Sequence, residues 1–337
     1  MLAATVAVAL LAAGCGNDTE DTGVTTIGLL SAALADTAEA SSYRESLSVG
    51  MKLEILGAEI STGIDEDNPA FVCEVTPELD HCLFDMSTLL ESMFGFMLED
   101  WDDLAFEMWF DQDRIVVDTR AFQPLVDADP EVDLDLMTPG VFFVDLKALD
   151  ADSPELMNAV AGSSTPDLKE MAASLPAALT EIEQTSDDPP TFVGTTTSGR
   201  LIEALGGDVE KEARCQAAQL GTEFSADLDE LAELIFQVLQ TNTAEVVIEL
   251  DDRGLLSVLW TTEDYSGIFD ALAESADFGA ELSEQERQEA MEAFASAEMI
   301  VATRVAYEPD VDVEVPLPPP TTEDRTEEWR EFLPECG

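Results

Sequence analysis

A chain of 337 residues, 46% of them hydrophobic, is long enough to bury the core of one large domain. Its 73 acidic residues against 14 Lys and Arg give a formal net charge of −59, which argues against nucleic acid as a partner because phosphate binding requires clustered basic residues. The acidic residues are spread through every segment, which is typical of a carboxylate surface that keeps a protein soluble at high salt.

The first fifteen residues predict export and lipid anchoring. Residues 2–14 carry no charge and have the length of a signal-peptide apolar region. They lead into "LLAAGC", which is similar to the bacterial lipobox, with Cys15 as the residue that would receive a diacylglycerol. We therefore expect residues 1–14 to be a signal peptide and Cys15 to anchor the mature protein to the cell membrane on its extracytoplasmic side; a short buried helix with an ordinary Cys is the alternative. Because no Lys or Arg precedes the apolar run, we expect the translation start to lie upstream.

The other four cysteines predict two disulfides, since an even number in an exported protein favours pairing. Cys73 and Cys82 flank a Pro-containing acidic turn between two apolar pieces, as expected for a bridge across a hairpin. Cys215 with Cys336 follows by elimination. A zinc site is disfavoured because the sequence has no C-x-x-C and only one histidine, His81.

In chain order, an acidic tether is predicted over residues 15–25, followed by an amphipathic helix in "TIGLLSAALADTAEASSYR". From Tyr43 the apolar residues fall on odd numbers, which predicts a long, half-buried strand. Shorter strands follow in "AEISTGI", "AFVCEV" and "CLFDMS", then an apolar insertion, "LLESMFGFMLEDWDDL", that is expected to be helical. "AFEMWF-DQD-RIVVDTRAF" predicts a hairpin.

After this hairpin we expect an Asp-rich loop, "QPLVDADPEVDLDLMTPG", and then a strand, "VFFVDLKAL". Helices are predicted from Ser153 and Thr165, the latter presenting Leu168, Met171, Leu175, Leu179 and Ile182 on one face. Then come a strand in "TFVGTTTSGRLI", a helix in "ADLDELAELIFQVLQ", a hairpin closed by Gly254, a helix from Ser283 and a last strand, "EMIVATRVAYEP". Because strands and helices come in blocks, we expect one α+β domain with an antiparallel sheet over residues 26–316, and a Pro-rich acidic tail over 317–337.

Several sequence segments, and the order in which they occur, resemble those of the LppX/LprAFG-type lipoproteins of actinobacteria. They are "SSYRESLSVGMKLEI", "DLAFEMWFDQDRIVVDTRAF", "TPGVFFVDLKAL", "TFVGTTTSGRLIEAL", "AEVVIELDDRGLLSVLW" and "YEPDVDVEVPLPPP". The resemblance implies a strongly curved antiparallel sheet, a half-barrel, that holds helices on its concave side with an apolar space between them. It also implies binding or carriage of acylated lipids and no catalytic residues.

The sequence contains no clear catalytic or metal-binding motif. Any triad with a histidine would have to use His81, which lies beside Cys82 in the predicted disulfide turn. The alternating Asp127, Asp129, Asp133 and Asp135 could hold Ca²⁺, but they lack the Gly and the closing Glu of an EF-hand loop, which favours a solvated acidic loop. We therefore expect no enzyme activity, no metal and no cofactor.

The apolar faces are the candidate ligand site. Residues of the first strand and of the central hairpin should share one sheet face, which one helix should cover: Leu47, Val49, Met51 and Leu53; Phe106, Met108 and Phe110; and Leu168, Met171, Leu175 and Leu179. An ordinary solid core between sheet and helices would show the same pattern. Together with the family resemblance, the sequence predicts a monomeric, membrane-anchored lipoprotein that binds a lipid or glycolipid; a cell-envelope structural or interaction lipoprotein with a closed core is the alternative.

Overall fold

The computed structural model describes residues 22–55, 58–88, 104–111, 113–128, 138–150, 168–224, 228–269 and 296–332, and positions 285, 288 and 293. The strands are β1 (Tyr43–Ile55), β2 (Ala58–Ser61), β3 (Phe71–Val75), β4 (Asp80–Asp85), β5 (Ala105–Phe110), β6 (Arg114–Asp118), β7 (Val141–Asp145), β8 (Thr180–Asp187), β9 (Pro190–Thr197), β10 (Thr243–Leu250), β11 (Leu256–Asp264) and β12 (Glu298–Pro309). The helices are α1 (Thr22–Thr37), α2 (Gln123–Ala128), α3 (Leu146–Asp150), α4 (Leu168–Ala178), α5 (Ser198–Ala204), α6 (Val209–Phe224), α7 (Leu228–Thr241) and α8 (Thr326–Phe332).

The strands form one antiparallel sheet in the order β7-β6-β5-β4-β3-β1-β12-β11-β10-β9-β8, and β2 pairs with β1 outside this path. β7 and β8 stand at opposite ends of the order, so the sheet is open. The predicted fold class, α+β with a curved antiparallel half-barrel and helices on its concave face, is confirmed.

β1 lies at the centre of the sheet and sets its register. It pairs with β12 from Tyr43 opposite Pro309 to Glu54 opposite Glu298. Its other side is shared, because β3 pairs with the first part of β1 and β2 with the last part. The odd-numbered apolar residues of β1 therefore all point to one face of the sheet, as the alternation predicted.

We call the face to which Leu47 points the inner face, because helices pack on it. Residues directly opposite one another on neighbouring strands share a face. By that register an apolar row crosses the inner face from β5 to β9: Phe106, Phe84, Phe71, Leu47, Val305, Leu259, Ile248 and Phe192. The inner face is thus apolar across most of the sheet.

Helices α1 and α4 cover the inner face of β9, β10 and β11. Their apolar stripes meet the strand residues in a core with almost no solvent exposure: Leu30, Leu34, Met171, Leu175, Phe192, Val246, Ile248 and Leu259 are each 0–3% exposed. We call this set the first core. Amphipathic spacing in both helices accounts for it, since positions 30 and 34 and positions 171 and 175 recur at one turn.

Two further apolar clusters lie to either side. At one end of the sheet, β5, β6 and β7 build the second core from Phe106, Met108, Ile115, Val117, Phe142 and Val144. Helices α5, α6 and α7 pack on one another around Ala213, Leu231, Ile235 and Leu239. The sheet therefore has well-packed regions towards both ends.

Several helix and strand boundaries differ from the sequence prediction. α1 begins at Thr22, so the last four residues of the predicted tether are helical. α4 ends at Ala178, and Ile182 belongs to β8 instead of extending the helix face, because β8 pairs with β9. The strand predicted through residue 202 ends at Thr197, whose side chain accepts a hydrogen bond from the Arg200 amide and caps α5.

The Asp-rich segment after the central hairpin also differs. The first residues of the predicted loop form helix α2. In this helix the side-chain amide of Gln123 donates a hydrogen bond to the Asp127 carboxylate at 2.9 Å. The predicted strand "VFFVDLKAL" divides into β7 and α3 at Asp145. The apolar insertion over residues 89–103, the helix from Ser153 and most of the helix from Ser283 lie outside the described residues.

The C-terminal segment, residues 310–332, returns to the sheet instead of leaving the domain as a tail. It starts beside β1, where the Asp310 amide donates to the Ser42 carbonyl at 2.8 Å. It then crosses the outer face, where the Trp109 indole N–H donates to the Pro316 carbonyl at 2.9 Å. It ends along β7, whose Phe143 donates its amide to the Glu323 carbonyl at 2.8 Å. The segment thereby covers the β7 edge of the sheet, which would otherwise expose unpaired backbone groups.

Candidate functional site

The middle of the inner face carries a strip of apolar side chains that are only half-buried. We call it the central strip; it consists of Leu47, Val49, Met51 and Leu53 of β1 with Met299, Val301 and Val305 of β12. Cross-strand pairing places Met51 opposite Val301 and Leu53 opposite Met299. Among the described residues, Val49, Met51, Leu53, Met299 and Val301 belong to none of the apolar clusters. The strip is therefore apolar surface that the described part of the chain does not fully cover.

The hairpin residues predicted for the same face do point to it. Phe106 lies in the apolar row with Leu47, and Met108 lies in the next row. Phe84 and Phe106 stack with ring centroids 4.7 Å apart, and Phe71 follows at 4.5 Å from Phe84. Phe106, Met108 and Phe110 nevertheless pack into or against the second core, with Phe106 9% and Met108 7% exposed, so they form one wall of the strip.

The helix predicted to cover the strip covers the neighbouring strands instead. Met171, Leu175 and Leu179 are buried in the first core against β9, β10 and β11, and Leu168 begins the helix. Tertiary packing with α1 decides this position, because the α1 stripe of Leu30 and Leu34 shares that core. The predicted residues of β1 and of the hairpin share the inner face, but the helix and the hairpin lie on opposite sides of the strip.

The predicted hairpin disulfide is present. Cys73 and Cys82 lie directly opposite each other on β3 and β4, with Cα atoms 4.1 Å apart, and both are buried on the inner face. Cys215 in α6 is also disulfide-bonded. Its predicted partner, Cys336, and the predicted lipidation site, Cys15, lie outside the described residues.

Two polar side chains stand at one end of the central strip, where sequence reasoning did not place them. Glu45 is 1% exposed and lies opposite Tyr307, which is 3% exposed. Burial raises the pKa of the Tyr307 phenol well above its usual value, and the neighbouring charge of Glu45 raises it further. The signal was available in the sequence, because position 45 falls on the inward-pointing odd numbers of β1 and interrupts an otherwise apolar series.

The single histidine lies on the opposite, outer face. His81 Nε2 is 2.7 Å from Glu107 Oε2, and its ring stacks on Trp109 at 5.0 Å between centroids. Its chain neighbour Cys82 points to the inner face and is disulfide-bonded. His81, whose side chain is 14% exposed, therefore has the surroundings of a structural histidine.

No group of three or more His, Cys, Asp or Glu that could hold a metal ion occurs among the described residues. Of the four alternating aspartates, Asp127 is in α2, and Asp129, Asp133 and Asp135 lie outside the described part of the chain. Within the described residues, no helix is both long and apolar enough to cross a membrane.

The comparisons with known proteins include a distant structural likeness. No family model and no curated protein matches the sequence. The crystal structure of the Mycobacterium tuberculosis lipoprotein LppX is similar to this chain with a TM-score of 0.32 and 8% sequence identity, over 86% of this chain and 97% of LppX.

Proposed function

We propose that this protein is an extracytoplasmic, membrane-anchored lipoprotein that binds the acyl part of a lipid or glycolipid on the central strip. The observation that carries the proposal is the strip itself: seven half-buried apolar side chains on two paired strands, with Thr303 opposite Val49. Folded proteins bury most of their large apolar side chains, and in the first core of this protein the apolar side chains of the sheet are buried against helices. Apolar surface left between two packed cores is typical of a ligand site.

The dimensions of the strip suit a long acyl chain. From Leu47 to Leu53 the strand extends about 20 Å at ~3.3 Å per residue, which is comparable with an extended long-chain acyl group. Methionines at positions 51 and 299 add adaptable, unbranched side chains that adjust to flexible ligands. Each methylene moved from water onto this surface would contribute about 0.8 kcal/mol to binding.

Anchoring is proposed from the sequence, because "LLAAGC" is similar to a lipobox with Cys15 as the acylated residue. Thr22, where α1 begins, is only seven residues beyond Cys15, so the folded domain would stand close to the membrane. Expressed with its leader, the protein should partition into the detergent phase, and Cys15→Ala should move it to the aqueous phase. Unchanged partitioning of the variant would remove the anchoring proposal.

The binding proposal is tested by filling the strip. Val49→Trp should place an indole on the inner face, and Thr262→Trp places one on the outer face of β11 as a matched control. We expect a fluorescent, uncharged acyl ester to bind the parent chain and the control alike, and Val49→Trp to weaken it by more than about tenfold. If the parent chain does not bind the ester, the closed-core alternative, an envelope structural or interaction lipoprotein, takes its place.

A further inference from the structure

The end of the central strip near the disulfide carries a buried carboxyl and a buried phenol. By register, one row of the inner face runs Met108, Cys82, Cys73, Glu45 and Tyr307 across five neighbouring strands. Glu45 is the charged member of this row, with the disulfide on one side and the Tyr307 ring on the other. Two residues further along β1 and β12 are Leu47 and Val305, which begin the strip.

Both groups are removed from water, although each is costly to bury. Glu45 is 1% exposed, and the Tyr307 hydroxyl has no hydrogen-bond partner among the described residues. A carboxylate offers about four acceptor sites, so Glu45 can accept hydrogen bonds from a ligand in addition to its contacts within the protein. The phenol can both donate and accept one. The pair thus offers hydrogen-bonding capacity beside an apolar surface.

A second carboxylate on the inner face differs from Glu45 in its surroundings. Glu263 of β11 lies opposite Val301, towards the other end of the strip. It is half-exposed and accepts a hydrogen bond from the Tyr265 hydroxyl at 3.0 Å. Glu263 is therefore hydrated and already engaged by a tyrosine, whereas the Tyr307 hydroxyl beside Glu45 is buried with no such bond. The two ends of the strip are chemically distinct.

We infer that Glu45 and Tyr307 bind the polar end of the ligand, and that they select an uncharged, hydroxyl-bearing lipid against one with an anionic head group. A ligand hydroxyl would donate to the Glu45 carboxylate and exchange a hydrogen bond with Tyr307, with its acyl chain lying along Leu47 and Val49. A phosphate or a fatty-acid carboxylate at the same place would bring its own negative charge into a site with little water to hydrate it, beside the acceptor oxygens of Glu45. This inference rests on the proposed acyl-binding function and adds the class of head group.

The test uses two lipids with the same acyl chains, dioleoylglycerol and dioleoyl phosphatidic acid, which differ only by the phosphate. They compete with the fluorescent acyl ester for the full chain carrying Cys15→Ala. We expect the parent chain to bind dioleoylglycerol at least about tenfold more tightly than phosphatidic acid. Equal affinity for the two lipids would overturn the inference while leaving acyl binding intact, whereas binding of none of the three ligands would overturn the proposed function.

Variants assign the selectivity to the pair. Glu45→Gln keeps the shape and replaces an acceptor oxygen with an N–H donor for the anionic oxygens, so it should tighten phosphatidic acid and reduce the preference to less than about threefold. Tyr307→Phe should weaken dioleoylglycerol by about threefold to tenfold and leave phosphatidic acid unchanged. Glu107→Gln, on the outer face, is the control and should change neither affinity. A preference that survives Glu45→Gln in a folded protein would contradict the assignment.

Discussion

The helix-covered part of the inner face and the central strip are built from the same kinds of residues but are packed to different degrees. Val246 and Ile248 in the first core are 0% and 1% exposed, because α1 and α4 lie over them. Val49 and Met51 of β1, three strands away from β10 in the same sheet, are half-buried. Apolar alternation thus makes a strand amphipathic, but what lies over the strand decides whether its face is a core or a binding surface.

The largest expected effect contrasts truncations in these two regions. Leu175→Ala removes a fully buried side chain from the first core and should lower the free energy of unfolding by about 2–5 kcal/mol. Met51→Ala, in the strip, should cost less than about 1.5 kcal/mol, because its surroundings are not close-packed. Urea unfolding at constant high salt measures both. Equal losses would mean that the strip is ordinary core.

The disulfide is the next largest contribution and stabilises the β3–β4 side of the strip. Cys73 and Cys82 are nine residues apart, and closing a loop of that size should stabilise the fold by about 2–3 kcal/mol. The double variant Cys73→Ala, Cys82→Ala should lose that amount in the same unfolding measurement. Thiol reductant should then destabilise the parent by a greater amount than the variant. If the reductant destabilised the parent and the variant equally, the destabilisation would not come from the Cys73–Cys82 disulfide.

Arg325 should contribute somewhat less, at the β7 edge. Its guanidinium is 4.3 Å from the Phe142 ring centroid, it pairs with Glu323, and its Nη1 donates to the Thr138 carbonyl at 3.3 Å. Arg325→Met keeps most of the apolar volume and loses these contacts, so we expect a loss of about 1–2 kcal/mol. Arg120→Met is the matched control. It removes the exposed ion pair between Arg120 and Asp118 and should change the free energy of unfolding by less than about 1 kcal/mol.

The smallest expected effect is a pH dependence at the start of α8. Hydrogen bonds from the Thr326 hydroxyl and amide lower the pKa of the Asp324 carboxyl below its usual value of 3.8. A lowered pKa in the folded state stabilises the protein above the unfolded-state pKa, and this stability is lost as the pH falls through the folded-state pKa. Thr326→Val should therefore lose a few tenths of a kcal/mol near neutral pH through Asp324, in addition to the pH-independent loss of the hydrogen bond that the Asp145 amide donates to the Thr326 hydroxyl at 2.8 Å.

Comparing unfolding at neutral pH with unfolding below pH 3 tests the sign. The difference between the parent and Thr326→Val should shrink as the pH falls through the folded-state pKa of Asp324. A difference that grows in acid would contradict the assignment.

Local patterns were sufficient to predict much of the sheet. The alternation in β1, the disulfide hairpin of β3 and β4, and the β10–β11 hairpin with Gly254 at φ 81° all depend on residues close in sequence. The predicted shared face of Leu47 and Phe106 also holds, because neighbouring antiparallel strands transmit register across the sheet.

Contacts between distant parts of the chain could not be predicted in this way. The position of α4 depends on α1, far earlier in the chain, and the bond from Thr321 to the Val141 carbonyl spans 180 residues. Pro-rich composition favoured a tail from residue 317, yet Phe143 of β7 pairs with Asp324 and donates its amide to the Glu323 carbonyl. Glu45 could not be predicted as a buried residue, because alternation assigns a side chain to a face of the sheet but does not show what covers that face.

The most direct test of the central claim is native mass spectrometry of the protein purified without added lipid. The full chain carrying Cys15→Ala should retain a co-purified lipid mass, Thr262→Trp should retain it too, and Val49→Trp should lose it. A single ligand-free mass for the parent chain, together with core-like stability losses in the strip, would contradict a ligand site between the two cores.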